Sequence, residues 1–271
     1  MRRGRGKTMN ASVVVGCRAA GRFLVTEALW DNPGRGRYRG VGADGEPVLI
    51  AVTSPQVQTL ERAAAALAFH VPGVAPLLAV GVVESAFPLH AVVEGEPDGR
   101  PLSALAPVPR HHLIAIGIDL AELAARAHAR GLALGGLRPE LCYAEGASGC
   151  MALSAVAPRA IGFFHTGGRV DAGNMPAFDR VFEPPDMTLS SRPPSPAGDV
   201  FTLAGALGFL ASGRMPFPGD SWAQQAVAMT AADGSWGEDD PLLRALEPGL
   251  RRDAARRPAA ADLCAALARL A

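Results

Sequence analysis

His128-Ala-Arg-Gly-Leu-Ala-Leu-Gly-Gly-Leu-Arg-Pro-Glu-Leu-Cys-Tyr143 is the stretch whose reading decides the fold. Its first residue closes a helical pattern. Upstream, Leu113, Ile116, Leu120, Leu123 and Ala127 recur every three or four positions, while Asp119, Glu122 and Arg126 share the opposite side. That spacing predicts an amphipathic helix over 112–128. The glycines after His128 break the helix, Leu137-Arg138-Pro139-Glu140 reads as a tight turn, and Leu141-Cys142-Tyr143 opens a short apolar strand.

Bulk composition limits what can surround this stretch. A chain of 271 residues, 49% hydrophobic and 19% charged, is long enough for one large domain or two lobes and carries the composition of a globular protein. Its formal net charge of zero excludes a general attraction to nucleic acid or to an acidic membrane. Only Met1–Lys7 is strongly basic, and residues 1–20 read as a flexible solvated tail. Lys7 is the only lysine in the chain, the other basic residues being arginine. The four cysteines (Cys17, Cys142, Cys150, Cys264) show no C-x-x-C spacing, so reduced thiols in a cytoplasmic protein are expected rather than a zinc site or a disulfide framework. Val14-Val15-Gly16-Cys17 has the outline of a lipoprotein cleavage site, but the apolar run before it is too short and Asn10 interrupts it. No window approaches the ~20 apolar residues of a membrane helix.

Working outward on the N-terminal side, Gly21 to Trp30 reads as a strand, and Ala43-Asp44-Gly45-Glu46 is a hairpin signal between Tyr38–Val41 and Pro47–Val52. Gln56 to Phe69 reads as a helix, and Leu77–Gly81 and Leu89–Glu94 as two further strands. On the C-terminal side, Asp199 to Leu210 is apolar all round apart from Thr202, the pattern of a helix buried on every side. A last amphipathic helix runs from Ala261 to Leu270.

Taken in order, these segments resemble the motifs of bacterial Ser/Thr protein kinases. The opening stretch resembles the catalytic loop, H-R-D-L-x-x-x-N after a helix ending in His, with His128 at the helix end and Leu137–Glu140 matching the L-K-P-E turn. Leu134 then stands at the motif's His, Gly135 at its Arg, Gly136 at its catalytic Asp and Leu141 at its metal-binding Asn. Tyr38-Arg39-Gly40 resembles the Y-R-G of the second strand, which makes Trp30, Asn32 and Arg35 the phosphate-facing positions and leaves Gly34-x-Gly36 as an ordinary turn. Val48–Val52 resembles the V-A-I-K strand, with Ala51 in the place of the lysine. Asp98–Leu102 matches D-G-x-x-L. Arg159–Phe164 falls where D-F-G would come, with Gly162 for the Asp and Phe163 keeping the aromatic. Glu183–Asp186 stands for A-P-E, Asp199 opens the D-V-W-S-L-G helix, Ser212–Phe217 matches T-G-x-x-P-F and Asp253–Pro258 matches D-P-x-x-R-P.

The resemblance implies an α+β, bilobal protein-kinase-like fold: an antiparallel β N-lobe with one helix over 21–95 and a mainly helical C-lobe over 96–271. It implies that Asp199 accepts backbone N–H groups of the loop, and that Asp186 pairs with Arg257 beneath the activation segment. Positions that hold the family's fold together match (His128, Pro139, Phe163, Asp186, Asp199, Arg257), whereas those that handle phosphate, metal and proton do not (Ala51, Gly136, Leu141, Gly162). Phosphoryl transfer is mostly positioning and electrostatic stabilisation, so these losses point to a pseudokinase with no catalytic residues, no metal and no cofactor. The expected role is a regulatory or scaffolding module for a protein partner, such as an active kinase, with neither nucleic acid nor membrane bound. The alternative is a divergent enzyme or a nucleotide sensor using substitutes: carboxylates such as Glu61, Glu94 or Glu140, or a phosphate contact from Arg35, Arg37 or Arg39.

Overall fold

Two residues that the sequence places in a tail, Arg18 and Ala19, decide the architecture of the first third of the chain. They form strand β1 and pair antiparallel on one side with β2 (Phe23–Asn32) and on the other with β5 (Leu77–Val83). With β3 (Arg35–Val41), β4 (Pro47–Thr53) and β6 (Leu89–Gly95), the strands run β1-β2-β3-β4-β6-β5 around a closed antiparallel barrel. The computed structural model describes residues 14–32, 35–53, 73, 75–86, 89–96, 99–102, 108–134, 137, 142–145, 150–153, 182–188 and 195–271. The helix expected over 56–69 lies outside the described residues.

This overturns the expected bilobal α+β fold with an antiparallel N-lobe sheet. The sheet closes on itself because the turn at Val14–Arg22 carries its backbone to both outer strands: Gly16 N–H donates to Val25 O at 2.9 Å, Ala20 N–H to Val82 O at 2.8 Å and Glu84 N–H to Arg18 O at 2.8 Å. Closure removes the exposed edges that an open sheet would present.

Alternation then sorts the strands into two faces. Val48, Ile50 and Val52 point into the barrel with Phe23, Val25, Tyr38, Val83, Ala91 and Val93, all buried. Gly36 belongs to β3, where it pairs with Asp31 and Val52, rather than to a turn. A Cβ there would come within 2.5 Å of the Tyr38 hydroxyl, so glycine is what lets the Tyr38 ring fold inward. The Asp-Gly hairpin forms where the sequence puts it: Val41 pairs with Pro47, Gly42 N–H donates to Glu46 O, and Gly45 takes φ +80°.

The chain divides into two compact units, residues 1–68 with 76–96 and residues 69–75 with 97–271. In the second unit, α1 (Arg110–His128) packs against α3 (Pro196–Ser212) and α6 (Ala260–Ala268). Ser195 caps α3 by accepting from Gly198 N–H at 3.0 Å, and its run from Gly198 to Gly208 is buried throughout. β7 (Arg100–Pro101), just ahead of α1, forms a three-stranded antiparallel sheet with β8 (Cys142–Glu145) and β9 (Cys150–Leu153), which follow α1, and the short α2 (Pro185–Thr188) precedes α3. After α3 come α4 (Trp222–Ala231) and α5 (Pro241–Leu246).

Barrel closure has a direct test in amide hydrogen exchange. The amides of Gly16, Ala20 and Glu84 are expected to exchange about 100-fold or more slowly than in an unfolded peptide, an opening free energy of about 2.7 kcal/mol. Unprotected exchange at all three would show that the sheet is open.

Candidate functional site

Ala51, expected at the position of the kinase strand lysine, sits on the outer face of β4 and is only 5% exposed. Its register partners are Arg37 on β3 and Val92 on β6, and the next row along the same face is Arg39, Leu49 and Glu94. Arg37 reaches diagonally over β4 to Glu94, its Nη2 donating to Oε1 at 3.4 Å. The side chains are 15% and 4% exposed, so both charges are largely out of water. A small residue at 51 is what leaves this crossing open. A lysine there would place a second cation directly opposite Arg37, an unfavourable cross-strand pair.

Arg39 is held in the same manner at the more exposed end of the face. Its Nε donates to Glu96 Oε1 at 2.7 Å and its Nη1 to Glu27 Oε2 at 3.1 Å. The hydrogen bond to Glu96, then that to Glu27, raises the Arg39 guanidinium above its ordinary pKa. Arg35 opens β3, paired with Asn32 and Thr53. The alternative reading makes Arg37 and Arg39 available to a phosphate, whereas the structure engages both with carboxylates. The sequence signal for the arrangement is the alternation of Arg37 and Arg39, which puts both cations on one face of β3. The partners of Arg37 and Arg39 carry no such signal, because Glu94 lies on β6, three strands later in the chain, and Glu96 just beyond it.

In the second unit a buried carboxylate organises the loop after α1. Asp199 Oδ2 accepts from Leu134 N–H at 2.7 Å and from His128 Nε2–H at 2.9 Å, and its side chain is fully buried. Leu134, expected at the position of a kinase catalytic-loop His, contributes backbone to this contact, and its side chain is buried. Thr202, the one polar residue in an otherwise apolar run, shares its hydroxyl proton between Phe182 O at 2.9 Å and Gly198 O at 3.0 Å. It ties the segment before α2 to α3, a role the sequence gives no sign of.

Arg257 and Asp186 meet, Nη2 donating to Oδ1 at 2.8 Å. Asp186 sits in α2, whose helical turn brings the shorter carboxylate within reach. Arg257 also donates to the carbonyls of Ala197, Arg251 and Arg252, and its guanidinium lies 4.8 Å from the centre of the Phe201 ring. Burial pushes its pKa down, opposed by the charge of Asp186. Gly136, Pro139, Leu141, Gly162, Phe163, Glu61 and Glu140 lie outside the described residues. Among the described residues, no group of three or more His, Cys, Asp or Glu side chains could hold a metal ion.

No protein-family model and no curated protein matches the sequence. Among solved structures, the chain is similar to that of Rad53 1–466 in complex with AMP-PNP, with a TM-score of 0.68 over 90% of this chain at 12% identity. The fold is protein-kinase-like. The match spans 64% of the Rad53 chain, and at this identity it speaks for the fold alone. That likeness coexists with a closed barrel in the first unit. No helix among the described residues is long and apolar enough to cross a membrane.

Replacing Arg257 with Ala takes the buried guanidinium away from the Asp186 carboxylate and is expected to destabilise the protein by about 3–5 kcal/mol in urea denaturation. A double-mutant cycle with Asp186→Ala isolates the pair and should give a coupling of about 0.5–3 kcal/mol; additive effects would show that Arg257 acts through its carbonyl contacts alone.

Proposed function

We propose that this chain is a pseudokinase: a kinase-like binding module that transfers no phosphoryl group and works by holding a protein partner in a regulatory or scaffolding role. The observation that carries the reading is the charge state of the face around Ala51. Phosphoryl transfer needs cations or a metal aimed at the developing charge. Here the lysine position is an apolar Ala51, and the neighbouring cations Arg37 and Arg39 are already neutralised by Glu94, Glu96 and Glu27. A phosphate would have to displace a carboxylate from each of them.

The sequence supports the same reading where no structural description is given. Gly136, Leu141 and Gly162 supply neither a base nor a metal ligand at the positions that would need them. Rad53 is described in complex with AMP-PNP. For this chain the opposite behaviour is proposed, because the residues that would face a nucleotide's phosphates differ in kind.

Thermal denaturation with and without millimolar ATP and magnesium tests the proposal. A ligand at ~100 times its dissociation constant would add about 2.7 kcal/mol of stability, so an unchanged Tm is the expected result. Transfer of radiolabelled phosphate to any substrate, surviving in Gly162→Ala, would overturn it. A magnesium-independent rise in Tm abolished by Arg35→Ala would replace it with a nucleotide sensor.

A further inference from the structure

Closure covers the outer edge of β5 only where β1 lies against it. The two strands share a single register pair, Ala19 with Val83, flanked by the hydrogen bonds from Ala20 N–H to Val82 O and from Glu84 N–H to Arg18 O. Towards its start β5 runs on without β1, and among the described residues Leu77–Gly81 pair with β6 alone. Backbone groups two residues apart on a strand face the same side, so Val80 N–H and C=O point outward from the sheet as Val82 O does. Among the described residues, no hydrogen bond reaches either of them there. Burial agrees: Leu77 to Gly81 is apolar throughout yet none of it is buried, and Val82 is 54% exposed, whereas every residue of Val48–Val52 on β4 is buried. One side chain occupies this edge. Arg22, exposed in the turn after β1, donates from Nη2 to Leu78 O at 3.0 Å, its guanidinium 4.7 Å from the centre of the Phe23 ring.

We propose that the outer edge of β5, from Leu78 to Val82, is the docking site for an extended acidic segment of a protein partner, which adds to the barrel as a strand and displaces Arg22 from Leu78 O. This deepens the reading of the chain as a partner-binding module and rests on it. An unpaired edge is a template for another strand: the backbone of the incoming segment pairs with its N–H and C=O groups, and alternate side chains lie along its apolar flank. Arg22 already supplies one N–H donor of the kind such a strand would bring. A single solvent-exposed hydrogen bond is weak enough to be exchanged for a row of them. Once displaced, the guanidinium is best satisfied by a carboxylate, because charge-assisted hydrogen bonds are stronger than those to a neutral carbonyl. The segment that fits is therefore extended, apolar at alternate positions and acidic where it passes Arg22.

The probe is the synthetic peptide Thr-Val-Glu-Val-Thr-Val, added to the full chain while its backbone amide resonances are followed. Saturable shifts are expected at the Val80 and Val82 amides with a Kd below about 1 mM, together with slower hydrogen exchange at Val80. Exchanging the peptide's Glu for Gln is expected to weaken binding about 3-fold. The same peptide methylated at every backbone amide has no donors for the edge and is expected to leave both resonances unmoved. Val80→Pro removes the outward N–H and spares the β6 ladder, a substitution that edge strands tolerate, and is expected to weaken binding at least about 5-fold. Resonances at Val80 and Val82 that do not move overturn the proposal. Equal binding by the methylated peptide, by the Gln peptide or to a folded Val80→Pro protein overturns it too. Should Val80→Pro fail to fold, the methylated peptide makes the same comparison on the wild-type protein. A silent edge with an ATP-independent Tm removes this site alone, whereas a rise in Tm with magnesium-ATP removes the reading beneath it, whatever the peptide does.

Discussion

Asp199 is the constraint on which the second unit depends. A carboxylate placed in the first turn of a buried helix is costly unless its oxygens are occupied and the helix dipole favours it. Both conditions hold: it sits near the N-terminus of α3 and accepts from Leu134 N–H and His128 Nε2–H. Those two donors lie at the end of α1 and in the loop beyond it, so one side chain fixes the register of a helix end, a loop and the central helix together. The apolar cluster around Leu120, Leu123, Val200, Leu203 and Leu207 supplies the bulk of the burial, and Asp199 chooses which arrangement of those helices is satisfied.

Much of the architecture was legible because it rests on period and on turn chemistry. The helix expected over 112–128 starts only two residues earlier, the Asp-Gly hairpin lies where its residues place it, and the apolar run after Asp199 is buried as its composition demands. Barrel closure was not legible, for a physical reason. A strand of two residues, Arg18–Ala19, is too short to show alternation, and its pairing depends on backbone groups that any residue could supply. The turn that follows even uses a positive φ at Ala20, a conformation for which the residue type gives no warning.

The charged face of the barrel was half legible. Alternating arginines on β3 announce a cationic row, but whether that row meets a ligand or the protein depends on β6, which lies beyond β4 in the sheet. Burial distinguishes the two ends of the row. Arg39 is about half exposed and its pairs contribute little, as solvent-screened contacts do. Arg37 and Glu94 are both largely withdrawn from water, where a charge contact is screened less than at the exposed end. The small side chain at 51 and the pair that crosses it are therefore parts of one arrangement, and a change at any of the three positions is felt at the other two.

The central claim is that Arg37 and Glu94 are energetically coupled across Ala51. A double-mutant cycle on folding stability, using Arg37→Met and Glu94→Gln to preserve volume, measures it most directly. The account predicts a coupling energy above about 1 kcal/mol, with each single variant less stable than the pair removed together would suggest. Effects that add to within about 0.5 kcal/mol would contradict it, because the two charges would then be held by something other than each other.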